Sequence, residues 1–208
     1  MTFNSVYEIT NNLSTIAGQH MIDYFSGNSL DDRWTETNVA GTGTFAMSDS
    51  VDGGFSITTA TADNNNSSIN FNNKRPFNYE NSGCVGVVQK VATSSKIWCG
   101  FRNSGLVDSE NWSSLYGDGQ DGTYKSLTTG DGAGTSTANS SVANDTAWTL
   151  FKIETTPSIN NLTINGVLEV SKTTDLNDAQ KMQPIFQVKA LTTGGKEGKI
   201  RYMEAWNH

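Results

Sequence analysis

Only two residues, Asn165 and Gly166, separate the runs Asn161–Ile164 and Val167–Val170. A two-residue type I′ turn needs positive φ at both central positions, and Asn-Gly is the pair that meets this demand most readily. A β-hairpin is therefore expected here, and the chain from Met21 onward repeats the theme. Gly43–Met47, Gly54–Thr59 and Ser67–Phe71 alternate polar and apolar residues, with Gly53-Gly54 and Asp63–Asn66 as punctuation. Cys84–Val91 and Lys96–Phe101 read as one long hairpin across Ala92–Ser95, with Val85, Val87 and Val91 on one face. Ala147–Thr155 sets Phe151 and Ile153 against Leu150, Lys152 and Glu154. Pro184–Val188 and Lys199–Trp206 read as the closing strands, Ile200, Tyr202 and Trp206 sharing a face. Residues 118–145 read as a single strand, Thr123–Thr128, between long loops. No long helix-period run follows His20. Short strands at such spacing predict an all-β chain, a two-sheet antiparallel sandwich of the jelly-roll kind. Under a tenth of the residues should be helical, and Trp34, Trp98, Trp148 and Phe151 should be buried.

Composition agrees with this and removes several function classes. Hydrophobic residues make up 35% and charged residues 17%, so Ser, Thr, Asn and Gly fill the remainder, as polar strand faces and turns require. A net charge of −7 is modest, and aromatic residues recur along the chain, so a folded core is expected rather than disorder. No Lys/Arg cluster offers the basic surface that a nucleic-acid partner needs. No run reaches the roughly 18 apolar residues of a membrane span. The opening residues Met1 to Ser5 show no secretory signal. Cys84 and Cys99 do not fall opposite each other in the expected hairpin, so two buried free thiols are predicted rather than a disulfide.

The order of segments resembles the concanavalin-A-like (laminin-G-like) jelly rolls. The likeness rests on Asp23-Tyr24-Phe25, Gly27-Asn28-Ser29-Leu30-Asp31-Asp32-Arg33-Trp34 and Gly53-Gly54-Phe55-Ser56-Ile57. It continues through Lys96–Phe101, Trp148–Glu154, the Asn165-Gly166 hairpin and Ile200–Trp206, and so covers about residues 21–207. The resemblance implies a sandwich domain over residues 21–208. That group includes lectins, glucanases, polysaccharide lyases, adhesion modules and viral structural domains, so the fold alone does not set the function. The Asn/Thr/Ser-rich version met here looks most like domains of phage and other viral appendages. This implies an extracellular or virion-surface location and a non-enzymatic structural or adhesive role, with a surface glycan as partner. A glycan-cleaving enzyme, glycoside hydrolase or polysaccharide lyase, is the alternative.

The glucanase branch carries Glu-x-Asp-x-x-Glu on one strand, and this chain has no such triplet. Phe151–Thr156 offers only Glu154 and the closing strand only Glu204, a pair that would have to meet across a sheet. His20 and His208 stand apart from any Ser or Cys motif, and two Cys with two His lack zinc-ligand spacing. Tyr124, Tyr202 and Arg201 leave a lyase reading open. These absences give the expectation of no catalytic and no metal residues. Binding has better material in Asp108–Tyr124. There Trp112, Tyr116 and Tyr124 offer rings for sugar faces, while Asn111, Asp118 and Asp121 offer acceptors for hydroxyls. The bland alternative makes Trp112 and Tyr116 core residues beside a plain hairpin loop. No cofactor is expected. Asp118-Gly119-Gln120-Asp121-Gly122 has oxygen ligands suited to Ca²⁺ but lacks the closing Glu of a twelve-residue loop.

Residues 1–20 differ from the rest. Val6, Ile9, Leu13 and Ile16 follow an a/d rhythm, two heptads long, among mediocre helix formers. The expectation is an N-terminal arm that joins copies, as a trimer for instance, or docks the domain on a larger particle. A short segment packed on its own sandwich is the other reading.

Overall fold

A computed structural model describes residues 19–48, 53–72, 74, 76–103, 112–119, 121–129, 135–176 and 181–207. The strands are β1 (His20–Asp23), β2 (Thr35–Ala40), β3 (Thr44–Met47), β4 (Phe55–Thr58), β5 (Asn66–Asn70) and β6 (Phe77–Asn78). There follow β7 (Ser82–Lys90), β8 (Ser95–Arg102), β9 (Trp112–Gly117), β10 (Thr123–Thr129) and β11 (Thr135–Ala143). The chain closes with β12 (Thr149–Thr155), β13 (Asn160–Ile164), β14 (Val167–Lys172), β15 (Lys181–Ala190) and β16 (Glu197–Asn207). Among the described residues the only helical element is a 3₁₀ turn at Tyr79–Asn81, and no helix is long and apolar enough to cross a membrane.

The strands form two antiparallel sheets packed face to face. Sheet A runs β14-β13-β12-β7-β16-β4-β3, with β1 also on β16; sheet B runs β11-β10-β9-β8-β15-β5-β2, with β6 on β15. Asn165 and Gly166 both have positive φ, 51° and 85°, and close the β13–β14 hairpin as expected. The core lies between the sheets. Sheet A contributes Phe55, Ile57, Val88, Phe151, Ile153, Leu162 and Met203; sheet B contributes Ile69, Ile97, Phe101, Leu115 and Phe186. A polar knot crosses the same interior. Asn160 of β13 donates to Ser113 Oγ and Thr155 Oγ1, each at 2.8 Å, and accepts from Ser126 Oγ at 3.1 Å. Each group is buried with a partner, as a low-dielectric interior requires.

Several local expectations need correction. Cys84–Val91 and Lys96–Phe101 are not a hairpin, because β7 belongs to sheet A and β8 to sheet B, and the chain crosses the sandwich edge between them. Both thiols are nonetheless free and buried, as expected, and burial pushes their pKa up. The core face of β7 is Cys84, Gly86 and Val88, while Val85 and Val87 point outward half-buried. A register shift between Ile200 and Tyr202 turns Ile200 inward and Tyr202 outward, which a strict two-residue alternation cannot foresee. Residues 118–145 hold two strands, β10 and β11, rather than one. Trp148 is only half-buried, with the Arg201 guanidinium 4.7 Å over its ring. Expectations for residues 1–18 lie outside the described residues.

Candidate functional site

Residues opposite each other across antiparallel strands share a face. On β9, Ser113 and Leu115 point into the sandwich, since Ser113 bonds Asn160 of sheet A and Leu115 joins the core. Ser114 and Tyr116 therefore point away from it. Register carries this parity across the sheet: Trp98 pairs with Tyr116 and Gly100 with Ser114 on β8. Gln187 pairs with Trp98 and Ile185 with Gly100 on β15, while Lys125 pairs with Tyr116 and Leu127 with Ser114 on β10. The outer face of sheet B thus carries a second apolar cluster, separate from the core: Trp98, Leu127 and Ile185 with Tyr116 packed on them. Trp98, Leu127 and Ile185 are themselves 4%, 3% and 0% exposed, so a ligand would meet this cluster at its half-buried Tyr116 edge. Beside it Arg102, also buried, donates from Nη1 to Gln187 Oε1 at 3.0 Å.

The accessible rim of this cluster is charged and aromatic. The Trp98 and Tyr116 rings lie 5.4 Å apart at a 32° tilt. Tyr116 donates its hydroxyl to Asp118 Oδ2 at 2.7 Å, and Lys96 Nζ reaches the same oxygen at 2.8 Å. That ammonium also lies 5.7 Å from the Tyr116 ring centroid, within cation–π range. One strand over, Lys125 Nζ holds Asp121 Oδ2 at 2.9 Å.

The loop that carries both carboxylates is pinned from behind. Asn144 donates its side-chain amide to the Asp118 carbonyl and its backbone N–H to the Gly122 carbonyl. Lys90, 1% exposed, donates to the Asn144 carbonyl at 3.0 Å. Burial pulls the Lys90 ammonium below its usual pKa, and the charges of Asp118 and Asp145 work against that pull. Gly119 lies against the backbone of Thr93 and Ser95, leaving no room for a Cβ. Asp118 is thus held by its neighbours before any ligand arrives.

Of the expected site residues, the structure brings Tyr116 and Asp118 together with Trp98 and Lys96, while Asp121 pairs with Lys125, the cross-strand neighbour of Tyr116. Tyr124 does not belong with them. It is fully buried on the inner side, in the core, with its hydroxyl accepting from Thr149 Oγ1, because its parity on β10 is opposite to that of Lys125. Trp112 opens β9 in register with Arg102, and Asn111 lies outside the described residues. Trp98 is buried, as expected, but outside the main core. Its alternation with Ile97, Cys99 and Phe101 is the sequence signal that separates it from them.

Glu154 and Glu204 share the outer face of sheet A, with β7 between their strands. Two strand spacings and a two-residue offset put their Cα atoms about 12 Å apart. Glycosidic cleavage needs carboxyls about 5–5.5 Å apart for retention or 6.5–9.5 Å for inversion, so this pair does not suit it. Glu204 is instead taken by His20 Nε2 at 2.9 Å and by the Tyr202 hydroxyl at 2.5 Å. The carboxylates of Asp118 and Asp121 are held by lysines, and no group of three His, Cys, Asp or Glu suited to a metal occurs among the described residues.

No family model and no curated protein matches the chain. Solved structures do. A protein of unknown function from Shewanella oneidensis MR-1 aligns over 100% of this chain and 94% of its own, with TM-score 0.67 and 14% identity. The Bacillus licheniformis β-glucanase aligns over 91% and 98%, with TM-score 0.64 and 11% identity. The carbohydrate recognition domain of Emp47p aligns over 90% and 94%, with TM-score 0.62 and 8% identity. The chain therefore has the concanavalin-A-like jelly-roll fold of lectins and glucanases. This corrects the expectation that the chain is not an enzyme, since glycoside hydrolases stand among the proteins that share its fold. That expectation rests on the missing Glu-x-Asp-x-x-Glu triplet and on histidines and cysteines without catalytic or metal-ligand spacing. Asp118 and Asp121 lie in the loop that joins β9 and β10 of sheet B.

Proposed function

We propose that the chain handles glycans: it binds a sugar chain along the outer face of sheet B and cleaves or transfers it there. The observation that carries the reading is the Tyr116 ring on the outer face of sheet B, half-buried against the covered Trp98 and bonded through its hydroxyl to Asp118. An aromatic ring suits the C–H face of a pyranose, and a carboxylate suits its hydroxyls. Glycosidic cleavage calls for two carboxyl groups near the scissile bond, and Asp118 and Asp121, each paired with a lysine, are our candidates for the ionised one. The β-glucanase and the carbohydrate recognition domain with the same fold support this choice of ligand class. The segment before β1, read from the sequence as part of an anchor arm over residues 1–20, would hold such a domain at a cell or particle surface.

A digest tests the reading. Mixed-linkage β-glucan, laminarin, xylan, chitin oligosaccharides and alginate are incubated with the chain, and reducing ends and unsaturated products are measured. The expected result is release from at least one of them, reduced about 10²-fold or more by Asp118→Asn, the usual scale for losing a group that stabilises transition-state charge. Release that is equal in the variant would remove Asp118 from the chemistry.

A further inference from the structure

On the other side of the molecule, the segment between β1 and β2 encloses a cavity of about 400 Å³, lined in part by Tyr24, Ser26, Ser29, Asp31, Arg33 and Met47. Its construction is unlike that of a slack connecting loop. Phe25 has φ 44°, a left-handed conformation that costs a bulky residue strain. The twist drives Phe25 into the core at 2% exposure and leaves Tyr24 outside at 53%. Asp23 secures the twist from within, accepting from the Phe25 backbone N–H and from Trp34 Nε1, both at 2.7 Å. At the rim, Arg33 grips Asp31 through Nε and Nη2, both at 2.9 Å, and Arg33 Nη1 donates to the Ile22 carbonyl at 3.2 Å. The guanidinium holds the Asp31 carboxyl down at about 2, so the fork is charged at any ordinary pH.

We infer that this cavity is a second sugar-binding site, taking one neutral pyranose unit with its C–H face on Tyr24 and adjacent hydroxyls on the Asp31–Arg33 fork. The fork presents acceptor and donor side by side with no net charge, which matches a vicinal diol: one hydroxyl donates to the carboxylate, its neighbour accepts from the guanidinium. Tyr24 is steadied by Tyr202, the ring centroids 5.3 Å apart. Aromatic, carboxylate and guanidinium are thus fixed before binding, which lowers the entropic cost of a small ligand. Cavities of this volume suit a small ligand. Tyr202 pairs with Val87 on the outer side of sheet A, so Tyr24, which leans on it, lies on the opposite side of the sandwich from Trp98. A chain with both would hold two strands of a polysaccharide, or two points on one, and gain avidity from the pair.

The test is an amide-resolved NMR titration with four free sugars: methyl glucoside, methyl mannoside, methyl galactoside and N-acetylglucosamine. With one of them, the amides of Ser26, Gly27, Ser29 and Arg33 are expected to shift and saturate in the roughly millimolar range of a single small contact. Tyr24→Ala, an exposed replacement that spares the core, should abolish the shifts, whereas Tyr116→Ala should preserve them. No movement of these amides with any of the four sugars would overturn the inference. So would shifts that survive Tyr24→Ala. Loss of the same shifts in Tyr116→Ala would mean one site rather than two, and would also overturn it. Because the readout is binding at the β1–β2 segment, its failure leaves the sheet-B face untouched.

Discussion

Replacing Phe151 by alanine is expected to lower the free energy of unfolding by about 3–5 kcal/mol, as removal of a packed phenylalanine ring does. Phe151 is fully buried in the core and stands opposite Gly86 of β7 and Ile164 of β13. Its ring occupies the space above Gly86 so closely that a Cβ there would collide with it. The central strands on both sides hold their places through many other pairings, so little collapse can fill the void. Urea denaturation followed by tryptophan fluorescence measures the effect. Leu150→Ala on the same strand is the control: Leu150 is 44% exposed, and its loss should cost a small fraction as much. Equal stability of Phe151→Ala and the parent would mean that β12 is assigned to the wrong face.

The second large effect concerns the ligand. Tyr116→Ala removes the ring that stacks on Trp98 and the hydroxyl that donates to Asp118, and it takes from Lys96 its cation–π partner. An aromatic anchor of this kind is worth about 2 kcal/mol in binding, so affinity for whichever polysaccharide the chain retains should fall roughly thirtyfold. Affinity electrophoresis through gels containing each polysaccharide reads this directly. Tyr116→Phe separates the two contributions, because it keeps the ring and loses only the bond to Asp118. Retention unchanged in Tyr116→Ala would move the ligand away from sheet B.

The sandwich is legible in the sequence because its signals are local. Asn165-Gly166 demands its turn, and the alternation in Ala147–Thr155 places Phe151 and Ile153 correctly. The assignment of strands to sheets is not legible in the same way. Nothing local distinguishes a hairpin from a crossover at Ala92–Ser95, so the sequence alone sets Cys84 and Cys99 in one sheet, where the fold has them in two. The same limit hides the candidate site. Tyr116 and Asp118 are visible as chemistry, but Trp98 belongs to an earlier strand, and only the β8–β9 register makes it the direct neighbour of Tyr116. Tyr124 misleads for the converse reason, since a ring close in sequence to Asp121 can still point to the opposite face. Carboxylates follow the same rule: Glu154 and Glu204 look alike in the sequence, yet strand order alone puts β7 between them.

Hydroxyl-radical footprinting of the chain with and without its retained polysaccharide tests the account most directly, because it reports which side chains a glycan covers. Oxidation of Tyr116 is expected to fall several-fold when the polysaccharide is bound, while Leu150 and Leu168, both exposed on sheet A, should oxidise as before. Protection of Leu150 and Leu168 with Tyr116 unchanged would place the glycan on the wrong sheet and contradict the account.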